Sequence, residues 1–205
     1  MSDLFCAATV IVARHGEAEY DTELASDDGG SLTLAGRDQG RSLAASLRDR
    51  RIAAIWCSDM ARAVQTAEIV AAELGLPVRV RPGLREFSVG ELAGEPYTDE
   101  LCRPVFEAWL AGDLGVGFPG AETGDDVVRR VSAELSSMAD QYRGETTLVV
   151  SHGGVMRLVL PRLAVNVPAD FGVAKSFDSC ATGELAVDGD GWVLRTWAGS
   201  ALSEG

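Results

Sequence analysis

Lysine is almost missing from this chain. Lys175 is the single lysine in 205 residues, so nearly all positive charge is arginine. Histidine is as scarce, with two copies, and the formal net charge is −13. A field of that sign repels nucleic acid and anionic membranes, so neither is expected as a partner. Any anionic substrate must be drawn by local positive charge. The four cysteines, Cys6, Cys57, Cys102 and Cys180, form no C-x-x-C pair. They are expected to be reduced, as in a cytoplasmic protein. Two histidines and no thiol pair argue against a dedicated zinc site. The apolar run from Leu4 to Ala13 follows Asp3 and lacks a basic leader. It is too short to span a bilayer and reads as a strand, not a signal peptide. Internal repeats, linkers and a G-x-x-x-x-G-K-[ST] loop are absent.

What is present is ordinary for one globular domain, with 46% apolar and 24% charged residues. Short β-branched runs alternate with helical patterns. Val10 to Ala13, "IAAIWC", "LPVRV" and "TTLVVS" read as strands. Thr33 is placed to cap a helix through "LAGRDQGRSLAASL", and Ser58 to cap the next one. In that helix Met60, Val64, Ala67, Ala71 and Leu74 form one apolar stripe. Thr123 with Asp126 makes a capping box before a helix that buries Val127, Val131, Leu135 and Met138. "CATGELAVDGDGWVLRTW" reads as a hairpin turning at Asp188 to Gly191. The expected fold is α/β: a three-layer α/β/α sandwich with a mostly parallel central sheet. One domain is expected over residues 1–205, with a glycine-rich, lid-like insertion at about 92–123. "GVGFPG" matches a dinucleotide-loop pattern by letter only, because no apolar strand precedes it.

Ligands in open α/β sheets bind beyond the carboxyl ends of the strands. Four features arrive there: Arg14-His15-Gly16, Ser58 to Arg62, Glu86, and Ser151-His152-Gly153. Arg62 lies two residues past Met60, so it is expected to point away from the buried stripe. The glycines after each histidine would let backbone N–H groups approach an anion at a helix start. Two histidines, two arginines and a carboxylate suit phosphoryl transfer to histidine. Guanidinium forks grip phosphate oxygens and lower the imidazole pKa, so the ring stays neutral and nucleophilic. A carboxylic acid protonates the leaving oxygen and then deprotonates water. On residue chemistry alone, either histidine could be the nucleophile.

The blocks "RHGEAEYD", "LTLAGRDQG", "SDMARAVQTA", "LREFSVGELAG", "PGAET" and "SHGGVMR" run in order from about residue 10 to 165. In that order they resemble the histidine phosphatase superfamily, the phosphoglycerate-mutase-like group (branch 1). The resemblance implies the phosphoglycerate-mutase-like fold. It implies His15 as the phosphorylated nucleophile, Glu86 as proton donor and base, and Arg14, Arg62, His152 and Gly153 around the phosphate. It implies a phosphatase that hydrolyses a small organic phosphate monoester, and it implies no metal or organic cofactor. The alternatives are a phosphoglycerate-type mutase, a phosphohistidine-protein phosphatase, and a non-catalytic member that binds phospho-ligands.

The chain departs from the pattern after "RHGE". Family members often carry threonine and, three residues further, asparagine; here these are Ala18 and Asp21. The acidic stretch that follows lacks a basic residue, so the pocket is expected to take one phosphate and discourage a second. Asp21, Phe87 and Phe118 are the candidates for substrate specificity. Phe87, Phe106, Trp109 and Phe118 can pack as core or wall the substrate's organic part. For Glu86, an ion pair with the adjacent Arg85 is the structural alternative. The expected partner is a small phosphorylated molecule, and homodimer formation is left open.

Overall fold

The computed structural model describes residues 7–19, 23–96, 98–173, 175–188 and 190–202. Cys6 and Asp21 lie outside the described residues, so the roles expected for them are not addressed by the fold. The strands are β1 (Ala8–Arg14), β2 (Ala18–Glu19), β3 (Ser31–Leu32), β4 (Ile52–Cys57), β5 (Val78–Val80), β6 (Thr146–Ser151), β7 (Thr182–Asp188), β8 (Gly191–Trp197) and β9 (Ser200–Ala201). The α-helices are α1 (Leu34–Leu47), α2 (Ala61–Leu74), α3 (Asp99–Ala111), α4 (Gly124–Gln141) and α5 (Gly153–Leu163).

Seven strands form one sheet in the order β5-β4-β6-β1-β7-β8-β9. β5, β4, β6 and β1 pair in parallel, and the β7–β8 hairpin joins antiparallel beside β1. β8 therefore runs in the direction of β1, and the sheet is mostly parallel. Local sequence pattern indicates the hairpin but not its partner; pairing with β1 is a long-range outcome.

β1 is buried on both faces, which is why its side chains are apolar without alternation. Val10 and Val12 face a core shared with Val131 and Leu135 of α4 and Met156 of α5. Ile11 and Ala13 face the opposite core, with Leu43 of α1 and Ala67 and Val70 of α2. Helices thus cover both faces, giving the expected three layers. α3 is tied into the first core by Trp109, which is fully buried and donates from Nε1 to the Val116 carbonyl.

Two helix starts match the sequence reading and one does not. Thr33 accepts the Gly36 N–H at 2.9 Å, and Thr123 with Asp126 forms a complete capping box. Ser58 does not cap α2. The N-cap residue is Met60, with no side-chain bond, and Ser58 stays within the extended strand exit. The buried face of α2 is wider than the expected stripe: Met60, Ala67 and Ala71 are buried and Val64 and Leu74 pack half-buried against the second core, but Arg62, Ala63, Thr66 and Val70 are buried as well. Arg62 and Thr66 are buried polar residues at the strand-end side, a position hydrophobicity alone assigns to solvent.

Candidate active site

Strand register brings the two histidines together. Arg14 pairs with Ser151 across β1 and β6, so His15 and His152 follow on adjacent strands. The His15 N–H donates to the Ser151 carbonyl at 3.0 Å. The imidazole centroids are 5.2 Å apart. Cys57 of β4 pairs with Val150 on one side and Val80 on the other, which delivers Ser58 and the segment leading to Glu86 to the same edge.

The His15 ring is held in one tautomer. Nδ1 lies 2.7 Å from the Gly16 carbonyl, which can only accept, so Nδ1 carries the proton. Nε2 is left with its lone pair and accepts from Arg62 Nε at 3.0 Å. Burial, followed by the Arg62 charge, lowers the pKa of His15 to about 3, so the ring is neutral. His152 is fully buried. Its Nε2 lies 2.7 Å from Ser58 Oγ, and Nδ1 has no partner among the described residues. Burial and then the Arg62 charge hold His152 well below its ordinary pKa. Arg14 donates from Nη1 to the Phe177 carbonyl at 2.6 Å, while its buried Nε has no partner among the described residues. Arg14 Nε and His152 Nδ1 are thus buried polar atoms without a protein partner among the described residues.

Glu86 sits on the start of α5. Its Oε2 accepts the Gly154 N–H at 3.0 Å, and its Oε1 accepts the Val155 N–H at 2.9 Å. Two of the helix-start N–H groups, those of Gly154 and Val155, are therefore taken by the chain's own carboxylate instead of a substrate anion. Gly16 N–H is also engaged, by Thr66 Oγ1 at 3.0 Å. Burial pushes the Glu86 pKa up, and the backbone hydrogen bonds and Arg62 only partly oppose it. The ion pair of Glu86 with Arg85 does not form; Arg85 is paired with Asp59 and Asp28.

A cavity of about 790 Å³ opens at this edge. Arg14, His15, Arg62, Glu86, Gly153 and Gly154 line its floor. His152 lies beneath that floor. Phe87 lines the wall, but Phe118 does not; it is buried behind Phe87, with the rings stacked 5.6 Å apart. The specificity role expected for Phe118 is accordingly corrected to support of Phe87.

Several residues of the site escaped sequence reasoning. Arg130 of α4 donates from Nη1 to the carbonyls of Gly83 (2.9 Å) and Arg85 (2.8 Å), and Glu122 grips its guanidinium with two bonds of 2.7 Å. The pair clamps the loop that carries Glu86. Asp27 accepts from Ser88 Oγ at 2.6 Å and from the Val89 N–H at 2.8 Å, tying the 23–30 loop to the other side of Glu86. Gly29, with φ of +60°, lies where a Cβ would come within 1.5 Å of Arg62 Nη1. Half of these bonds involve backbone groups, which leave little pairing signal in side-chain pattern. Among the described residues, no three His, Cys, Asp or Glu side chains are grouped as a metal ion would need, and no helix is long and apolar enough to cross a membrane.

The sequence model of the histidine phosphatase superfamily (branch 1) matches residues 10–199. This chain belongs to that superfamily. Among its relatives, phosphoglycerate mutase-like protein 4 of Arabidopsis thaliana is 32% identical over 197 residues, covering 93% of this chain and 84% of the plant protein. Among solved structures, a mycobacterial glucosyl-3-phosphoglycerate phosphatase superposes with a TM-score of 0.75 at 25% identity, covering 94% of this chain and 99% of its own. YhfR of Bacillus stearothermophilus gives a TM-score of 0.78 at 28% identity, covering 97% and 99%. The superfamily includes phosphatases, and the similar proteins carry both phosphatase and mutase-like names.

Proposed function

We propose that this histidine phosphatase hydrolyses a small organic phosphate monoester through a phosphohistidine at His15. The observation that carries the reading is the tautomer of His15. A neutral ring with its proton fixed on Nδ1 presents a lone pair at Nε2, between two arginines and a second neutral imidazole. Nε2 attacks phosphorus, and the P–O bond to the leaving group breaks. Glu86, whose acid form burial favours by raising its pKa, gives its proton to the leaving oxygen. Oε2 accepts one N–H and keeps a lone pair on which that proton can sit. Arg14 Nε and, in its Nδ1-protonated tautomer, His152 donate to the phosphate oxygens, where transition-state charge accumulates. Water then attacks phosphohistidine, Glu86 takes its proton, and phosphate leaves with Nε2 restored.

The segment from about 92 to 123 is proposed to cover the substrate's organic part. We also place the protein in the cytoplasm, in keeping with the free thiols of Cys57 and Cys180. The test is a screen of phosphorylated metabolites read by released phosphate, with His15→Ala as the blank. His15-dependent release supports the reading, and its absence across the panel contradicts it. The Arabidopsis relative's name favours a second reading, a mutase. A mutase would be phosphorylated by bisphosphoglycerate and would interconvert phosphoglycerates without net phosphate release.

A further inference from the structure

The floor and the walls of the cavity differ in charge. Among the described residues only Arg14 and Arg62 bring positive side chains to it. The remaining residues of the chain include no lysine, arginine or histidine. Both guanidinium groups belong to the floor, beside His15. Three other arginines on surrounding elements are committed elsewhere. Arg85 is paired with Asp59 and Asp28, Arg130 is gripped by Glu122, and Arg157 donates to the carbonyls of Gly172 and Val173.

The walls carry charge of the opposite sign. Glu23 and Asp27 line the cavity from the 23–30 loop, and Glu23 is exposed at its mouth. The rest of the wall is mainly apolar, with Leu24, Met60, Phe87, Val89 and Pro96. Phe87 is a fixed surface, stacked on Phe106 and Phe118 at 5.6 Å and meeting Trp109 edge-on at 5.1 Å.

We infer that the substrate is the monophosphate of a non-anionic, largely apolar alcohol or phenol, with neither a carboxylate nor a second phosphate. This rests on the phosphatase reading above. Once the single phosphate occupies the two floor arginines, an anion on the organic part would meet Glu23 with no further guanidinium in the cavity lining; beside Asp27, Arg85 is already held by Asp28 and Asp59. Such an anion would also lose hydration against the Phe87 wall. An apolar group gains from the same wall, and a positive charge is tolerated at its mouth.

Binding of three inert analogues tests this without requiring turnover: methylphosphonate, benzylphosphonate and 4-carboxybenzylphosphonate, at low ionic strength by calorimetry. Benzylphosphonate should bind tighter than methylphosphonate, and Phe87→Ala should reduce that advantage. The carboxylate should weaken binding by roughly tenfold, a loss that added salt shrinks. Glu23→Lys should narrow the gap several-fold (an order-of-magnitude expectation for one reversed charge,), read as the ratio of the benzylphosphonate and 4-carboxybenzylphosphonate affinities within that variant. Equal or tighter binding of the carboxylate by the unmodified protein overturns the inference, as does equal affinity for methyl- and benzylphosphonate or a gap unmoved in Glu23→Lys. Phenyl phosphate hydrolysis, with His15→Ala as the blank, is read separately. Its absence would overturn the phosphatase reading, whereas the analogue affinities judge the selectivity.

Discussion

Arg62 Nε donates a hydrogen bond to the one nitrogen of His15 that is free to attack, across 3.0 Å. The same lone pair cannot hold that proton and form a bond to phosphorus. Turnover therefore requires the guanidinium to leave Nε2 and take up phosphate oxygens. Gly29 gives the guanidinium its room in the present position, since any Cβ there would collide with Nη1.

Arg62→Ala is expected to lower kcat by roughly 10²–10³-fold, the usual loss when a donor to transition-state charge is removed. Arg62→Lys should recover little, because a point charge does not reproduce the fork. A second readout separates catalysis from folding. Arg62 lowers the His15 pKa from 6.5 to about 3 together with burial. A titration of the His15 ring by NMR should therefore show a higher pKa in Arg62→Ala. An unchanged value would remove Arg62 from the electrostatics of the nucleophile.

The pH dependence of kcat should have no His15 limb in the ordinary assay range, because that ring stays neutral down to about pH 3. With a poor alkyl leaving group, protonation by Glu86 limits the rate. Its raised pKa keeps the acid form available, and kcat should fall as pH rises through that pKa. Glu86→Gln should abolish turnover of alkyl esters while sparing the first step on a 4-nitrophenyl ester. A pH profile unchanged in shape by Glu86→Gln would contradict the assignment.

Stability has the opposite dependence. The folded His15 binds its proton less readily than the unfolded one, so its contribution is present above pH 6.5 and is lost as pH falls toward 3. Between pH 7 and pH 5 this amounts to about 2 kcal/mol, and His152 adds a loss of the same sign. Urea unfolding at the two pH values should show the decline, reduced in His15→Gln. A flat profile would mean that His15 is not buried as a neutral ring.

Arg130 touches no reacting group, so it is a positioning residue. Arg130→Leu or Glu122→Gln should release the carbonyls of Gly83 and Arg85 and let Glu86 drift. Misplacement of the acid by about 1 Å can cost up to roughly 10²-fold. The loss should fall on kcat more than on KM, and should be larger for alkyl than for 4-nitrophenyl esters. A loss equal for both ester types would indicate only a structural role.

Gly36 is set against the backbone beside the nucleophile: a Cβ there would come within 2.0 Å of the Glu17 carbonyl oxygen. Gly36→Ala must push apart α1 and the strand exit that holds His15. Reduced thermal stability together with reduced kcat is expected. Gly75→Ala is not a fair control, because Gly75 has a positive φ of +69°. Ala45→Gly, on an exposed part of α1, is the better one and should cost only about 1 kcal/mol through helix propensity. Full activity of Gly36→Ala would show that the close approach is not needed.

Much of this arrangement was legible in the residues. Apolar runs without alternation gave the buried parallel strands, and Thr33 and Thr123 gave two helix starts. The pairing of Arg14 with Ser151 follows from two strands ending in a histidine and a glycine at one sheet edge. Ser58 was misread because a serine before a helix satisfies the capping pattern, while here its hydroxyl serves a buried imidazole. Arg62 was misread because apolar counting places charge outside, whereas this guanidinium is buried against His15. The Arg130 clamp was invisible because its targets are main-chain carbonyls 45 and 47 residues away.

The central claim is that phosphorus is transferred to Nε2 of His15. Rapid quenching of Glu86→Gln with 4-nitrophenyl phosphate should trap the intermediate, because the good leaving group needs no acid while hydrolysis lacks its base. Mass mapping of the quenched protein is predicted to place one phosphoryl group on the peptide carrying His15, and none in the His15→Ala background. A phosphoryl group on His152, or nitrophenol release with no phosphorylated histidine, would contradict it.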